Sequence, residues 1–374
     1  MNASRVQVTW LVRVSPTLIR LLDSPVGPRL EHLLLDAKLG CVARLGLCAG
    51  SLTAKRKCLI DMSITKKQHH VWKDYFDPWL VDGRIALIMD GKVISTGPGN
   101  VAHQRYFYEI GEMTERDIAI LRSLTSGQQS EVIRTAAEFW IDSVQLIFKL
   151  RDEMVARGLD RTSLEEVVIQ ASRQLGEQYQ GITEHSGLKY LPTLRNSDTF
   201  NIKEGENYVE FCFFVMAQYF RTLRAKESLR RQMDADNPGY VDRSMAAIIP
   251  IMTTLVGASL VNMRDRLVPT LLLNKSGVKF ITGDQPIINT HAVYVPKGEN
   301  IPETEFYYPI SPDRAIIFSE NLHYRSGVIT DPAITREFNK KMALSAERSA
   351  FASCQSELHE WKDVVGKHRH AEAN

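Results

Sequence analysis

Between Thr114 and about residue 266 the apolar positions of this chain recur every three or four residues, whereas on either side they fall in short alternating or continuous runs. The first pattern predicts helices and the second strands. Within residues 131–157, Ile133, Ala137, Trp140, Val144, Ile147 and Met154 form one stripe, and Gly158 stops the helix they define. Ser163-Leu-Glu-Glu166 opens the next helix as a capping box, and that helix runs to about residue 179. A polar stretch with Gly181, Gly187 and Pro192 then reads as a loop leading to Gly205. The segment "NYVEFCFFVMAQYF", residues 207–220, is apolar nearly all round, which predicts a buried central helix with a strongly basic exit. "DNPGY" turns the chain at 236–240, and a further helix fills 241–266 with a kink at Pro250.

The flanks read as β-structure. Residues 64–72 look extended, and "RIALIMDGKVIS" is a hairpin whose Asp90-Gly91 pair favours a type I′ turn. "TGPGN" breaks the chain at 96–100, and "VAHQRYFYEI" follows as strand or loop. On the C-terminal side "GVKFIT", "PIINT", "AVYVP", "EFYYPI" and "RAIIFSE" are strand-like. A long last helix opens at Asp331-Pro332, with Ile334, Phe338, Met342 and Ser345 on its inner face. The class is therefore α+β: a helical middle, and a mixed or antiparallel sheet built from the N-terminal hairpin and the strands at about 278–319. No linker long enough to separate two domains interrupts residues 62–374, which read as one domain.

Charge and cysteine placement change the picture at the N-terminus. Residues 1–61 carry nine Lys or Arg against four Asp or Glu, a net of +5, which leaves the other 313 residues at −3. Three of the five cysteines (Cys41, Cys48 and Cys58) lie in that first segment, which shows no sustained period. Arg13 and Arg20 interrupt any signal-peptide core, and Asp23, Glu31 and Asp36 weigh against a mitochondrial leader. The restart "MSITKKQ" at Met62 makes a misplaced start the preferred expectation, with residues 1–61 a disordered or loosely docked extension. In the body, Cys212 and Cys354 stand alone, each inside a predicted helix, which argues for a reducing, cytoplasmic setting. No run approaches the roughly 18 consecutive apolar residues of a membrane span.

Familiar catalytic signatures are absent: no G-x-x-x-x-G-K, G-x-G-x-x-G, H-E-x-x-H, C-x-x-C or G-x-S-x-G. What remains is polar clusters at element boundaries. "KKQHH" presents Gln68, His69 and His70 before an aromatic stretch; in a strand the two histidines face opposite sides, so one packs while the other is available for acid–base work or a metal. "AQYFRT" puts Gln218, Arg221 and Thr222 on one face at the end of the most apolar helix, where an arginine needs an anionic partner or ligand. "FITGDQPIIN" holds Asp284 at a strand end, and Pro286 keeps Gln285 extended. Each cluster also has a plain structural reading: an edge histidine, a helix-end ion pair, an Asp-initiated turn.

In this order "KKQHHVWKDYF", "AQYFRT", "FITGDQPI", "YPISPD" and "EFNKKMALSAERSAF" resemble the bacterial family catalogued as domain of unknown function 4238, over about residues 62–355. Trp72 follows His70 where the family usually has a proline nearby, and Gly283-Asp284-Gln285-Pro286 stands where it usually has Ser-Asp-Asn-Pro. The resemblance brings no activity with it. The residues themselves suggest a nuclease-like phosphodiester hydrolase: His69 or His70 with Asp284 as catalytic groups, and Gln68, Gln218, Arg221, Thr222 and Gln285 as substrate contacts. A divalent metal ion is an open option, with His103 and His291 as the further ligands to look for. Arg221, Arg224 and Arg231 offer a local basic patch for nucleic acid, against a body net charge of −3. The alternative is a non-enzymatic binding protein whose motifs form a sensing pocket or a structural hydrogen-bond network. Oligomeric state is not legible.

Overall fold

Asp90 and Gly91 take φ values of 51° and 71°, the left-handed pair that a type I′ turn requires, and close β2 (Ile85–Met89) onto β3 (Lys92–Thr96). The computed structural model describes residues 66–367, apart from 129, 203–204, 296–298, 300 and 302. The expectations for residues 1–61 and the start at Met62 lie outside the described residues.

Before the hairpin, β1 (Lys67–His69) pairs antiparallel with β4 (His103–Arg105), placing His69 opposite His103. The remaining strands form two sheets. One is four-stranded in the order β3-β2-β11-β6, with β6 at Thr282–Gly283 and β11 at Ser349–Ala352. The other is five-stranded in the order β10-β5-β9-β8-β7. It comprises β5 (Val268–Asn274), β7 (Ile288–Asn289), β8 (Phe306–Ser311), β9 (Arg314–Ser319) and β10 (Val328–Ile329). The α+β class holds, and the hairpin shares its sheet with β6 and β11 while β8 and β9 belong to the other.

Seven α-helices lie among the described residues: α1 (Glu115–Thr125), α2 (Glu131–Ala156), α3 (Arg161–Arg195), α4 (Glu206–Phe220), α5 (Leu223–Met233), α6 (Tyr240–Asn262) and α7 (Pro332–Ser345). α4 and α6 run together through the larger apolar cluster; a Cβ on Gly257 of α6 would stand 3.3 Å from the Phe213 ring. α6 is long and apolar enough to cross a membrane by length and composition, yet 83% of its most apolar window is buried inside the protein. It continues through Pro250, and Thr254 donates to the Pro250 carbonyl at 2.8 Å. A second cluster, with Phe280, Tyr307, Phe338 and Met342, sits under α7.

Several expectations need correction. The helix after Gly158 is capped by Asp160, which accepts from the Ser163 N–H at 2.8 Å, and it extends 35 residues, to Arg195. Gly187, read as a loop signal, serves close packing instead: a Cβ on it would stand 2.7 Å from the Trp72 ring and 2.8 Å from that of Phe214. "AVYVP" contains a short 3₁₀ turn at Ala292–Tyr294 and no strand among its described residues. The last helix ends at Ser345 and the chain returns as β11, so Cys354 is exposed beyond a strand; Cys212 is buried within α4 as expected. On α7, Ile334 is 40% exposed while Thr335 is buried, on the same face as Phe338 and Met342.

Candidate functional site

A glycine sets the geometry. A Cβ on Gly176 of α3 would stand 1.7 Å from the Tyr108 carbonyl oxygen, so only glycine lets the segment after β4 lie against that helix. Gln68, fully buried on β1, ties the arrangement together: its Oε1 accepts from the Tyr108 N–H (2.7 Å) and its Nε2 donates to the Arg173 carbonyl on α3 (3.1 Å). Both functions of that amide are taken by backbone, so Gln68 fastens the site.

Arg221, 1% exposed at the end of α4, occupies the centre. Its Nε donates to the Tyr108 hydroxyl (2.9 Å), and its Nη2 donates to the His69 carbonyl (3.0 Å) and to Glu184 Oε1 on α3 (2.6 Å). Burial works against its charge, but Tyr108 and Glu184 outweigh that and hold its pKa above the usual arginine value. Its Nη1 is buried and has no hydrogen-bond partner in the protein; nor does Nε2 of Gln218, three residues earlier on the same helix face.

His69 closes β1, and His70 lies just beyond it. His69 is half-buried with its ring edge-on to His103, centroids 5.5 Å apart. Burial and then His103 lower its pKa to about 4, against a backbone hydrogen bond with Val101. His70 is buried, packs its ring against Phe107 at 5.3 Å, and is lowered to about 3 by burial and then by the charge of Arg221. Both rings are neutral at physiological pH with a buried, unpartnered Nδ1. The charge of Arg221 bears on His70 ahead of any other group, whereas for His69 it comes after His103 and Lys73.

The helix α3 contributes a face that was not anticipated. Glu177, Gln180 and Glu184 follow one another at offsets of three and four. Burial and then the Glu184 carboxylate push the Glu177 carboxyl up to about 7, with Arg221 pulling the other way. Glu177 Oε2 and Gln180 Oε1 are buried without a protein partner. Their spacing could have been found in the sequence only if the helix had been carried past residue 179.

The residues from the other motifs do different work. Asp284, buried after β6, accepts from three successive backbone N–H groups: Glu347 (2.7 Å), Arg348 (2.7 Å) and Ser349 (3.0 Å). Burial raises its carboxyl to about 6 despite those donors. Both oxygens are committed to the turn that starts β11, so in this geometry Asp284 latches that turn. Thr222 caps α5, accepting from the Ala225 N–H at 3.2 Å, and donates to Gln285 Oε1. Gln285 Nε2 donates to the carbonyls of Tyr219 (3.2 Å) and Ile287 (2.7 Å), so the longer amide bridges α4 to the strand end. The basic run is largely matched: Arg224 and Arg231 face Glu347 at 3.9 and 3.5 Å, and Lys226 and Arg230 face Asp242 at 3.0 and 2.5 Å.

No group of three or more His, Cys, Asp or Glu side chains among the described residues is arranged to hold a metal ion. His103 lies beside His69, whereas His291 pairs with Glu303 at 3.5 Å. The family model described as Protein of unknown function (DUF4238) matches residues 67–356. No curated protein and no solved structure matches the chain.

Proposed function

The chain belongs to this family, and from that premise and its geometry we propose that it hydrolyses a phosphodiester group admitted to the space beside Arg221. One observation carries the reading: Arg221 Nη1 and Gln218 Nε2 are buried donors without protein partners, and the Arg221 charge is felt at a buried, neutral His70. Buried donors of this kind take water until a better acceptor arrives, and a phosphate oxygen is such an acceptor. In the reaction, a water oxygen attacks phosphorus and the bond to the leaving oxygen breaks. His70 takes the water's proton and passes it to the leaving oxygen, so a phosphomonoester and an alcohol are formed. Arg221 and Gln218 hold the non-bridging oxygens as charge builds on them. Arrival of the phosphate anion offsets the repulsion between Arg221 and a protonated His70, and so raises the basicity of that imidazole.

Burial narrows the substrate. His70, Gln218 and Arg221 are each at most 3% exposed, and the flanking cations are occupied by Glu347 and Asp242. A small diester or a single-stranded end suits this site better than a duplex. The same burial favours a second reading, a non-catalytic binding site for a phosphate-bearing ligand.

Bis(4-nitrophenyl) phosphate and single-stranded oligonucleotides, with and without divalent ions, test both. Wild-type turnover is expected to fall about 10²- to 10³-fold in Arg221→Lys, which keeps the charge but loses the fork, and at least 10²-fold in His70→Asn. Turnover surviving both changes would sink the site assignment. Binding without turnover, lost in Arg221→Lys, would select the second reading.

A further inference from the structure

The donors on α4 face a helix that carries the opposite chemistry. Glu177 Oε2 and Gln180 Oε1 are buried acceptors without protein partners, on the face of α3 whose next member, Glu184, grips Arg221 at 2.6 Å. Gln180 is 8% exposed, so its carbonyl cannot simply turn to bulk solvent. The site is therefore two-sided: donors from Arg221 and Gln218, acceptors from Glu177 and Gln180. An anion alone satisfies only the first side.

We infer that the α3 face reads a hydroxyl group borne close to the phosphodiester, so that the ligand is a hydroxylated diester of the ribonucleotide or glycerol type. The inference rests on the phosphodiester reading of the same site. With the phosphate oxygens held on Arg221 Nη1 and Gln218 Nε2, a hydroxyl beside the phosphate presents its proton to the α3 face, at Gln180 Oε1 or Glu177 Oε2. No hydrogen-bond partner among the described residues fills that role, and the Tyr108 hydroxyl already receives the Arg221 Nε hydrogen bond and donates to the His69 carbonyl at 3.1 Å. A site with buried acceptors discriminates strongly against an analogue lacking the donor, because those acceptors are stripped of water and left unpaired.

Calorimetric titration of the full chain with adenylyl-adenosine, its 2′-deoxy counterpart and glycerophosphoglycerol tests this. The hydroxylated diesters are expected to bind roughly ten- to a hundred-fold tighter than the deoxy dinucleotide. Which of the two binds tighter identifies the source of the hydroxyl. In Gln180→Met and in Glu177→Met the ribo-to-deoxy ratio should fall toward one. Gln180→Met should also raise the melting temperature of the unliganded protein, since it removes a buried acceptor without a partner. A lowered melting temperature would make Gln180 a structural residue and overturn the inference. Equal binding of ribo and deoxy diesters by the wild type would overturn it too, while leaving phosphodiester recognition standing. If neither diester binds, the phosphodiester reading fails and this inference falls with it.

Discussion

Arg221 shows how much one residue's surroundings decide. The same guanidinium is a structural tie through Nε and Nη2 and a free donor through Nη1. Its motif was legible in the sequence; its partners, Tyr108 and Glu184, lie 113 and 37 residues away and were not. Asp284 teaches the converse. A carboxylate at a strand end looked chemical, yet its two oxygens collect three backbone N–H groups. Replacing it with asparagine would turn an NH₂ group toward donors and leave at least one of them unpaired. Asp284→Asn is expected to cost about 2–3 kcal/mol in urea unfolding, and any lost turnover should track the unfolded fraction. Activity lost at full stability would return Asp284 to the chemistry.

At the scale of elements, α3 is where reading by local rules stopped short. Glycine weakens an isolated helix by about 1 kcal/mol, so Gly181, Gly187 and Pro192 in succession looked like an ending. The helix persists because Gly176 and Gly187 let Tyr108, Trp72 and Phe214 pack against it. A matched pair of substitutions separates the two meanings of glycine. Gly181 has nothing within 4 Å of a built Cβ, so Gly181→Ala should stabilise by about 0.5–1 kcal/mol. At Gly176 the added carbon meets the Tyr108 backbone at 1.7 Å, so Gly176→Ala should destabilise by about 3 kcal/mol or more. Chemical denaturation of both variants checks the sign. By contrast the β2–β3 hairpin, the stripe of α2 and the all-round apolar α4 were legible, since each is specified within its own segment.

Across the whole molecule the buried ionisable groups pull in opposite directions with pH. His69 and His70 have folded pKa values near 4 and 3, below the unfolded 6.5. Their contribution to stability is complete above about pH 6.5 and is lost as pH falls toward those values. Glu177, at about 7, and Asp284, at about 6, are raised. Theirs is complete below the ordinary carboxylate range and is lost as pH rises through those values. Between about pH 4.5 and 6.5 the two sets largely oppose each other, so the overall profile should be flat there. The His70 contribution emerges by difference. Relative to His70→Asn, the wild type should lose up to about 1.4 kcal/mol per pH unit as pH falls from 6.5 toward 3. Parallel urea midpoints for the two proteins across that range would contradict the burial of a neutral His70.

The sequence by itself determined the class of fold, the hairpin and its turn, the core helices, and the motifs that meet at Arg221. These follow from periodicity, turn chemistry and composition, which act over a few residues. Only the tertiary structure decided that β11 returns beside the hairpin and that the strands divide between two sheets. It also decided that His70 is buried and neutral, that Asp284 latches a turn, and that α3 adds Glu177, Gln180 and Glu184. Those outcomes depend on which distant segments exclude water from one another. Burial shifts a histidine or a carboxyl by several pH units and leaves a donor or an acceptor without a partner, and no local pattern records that.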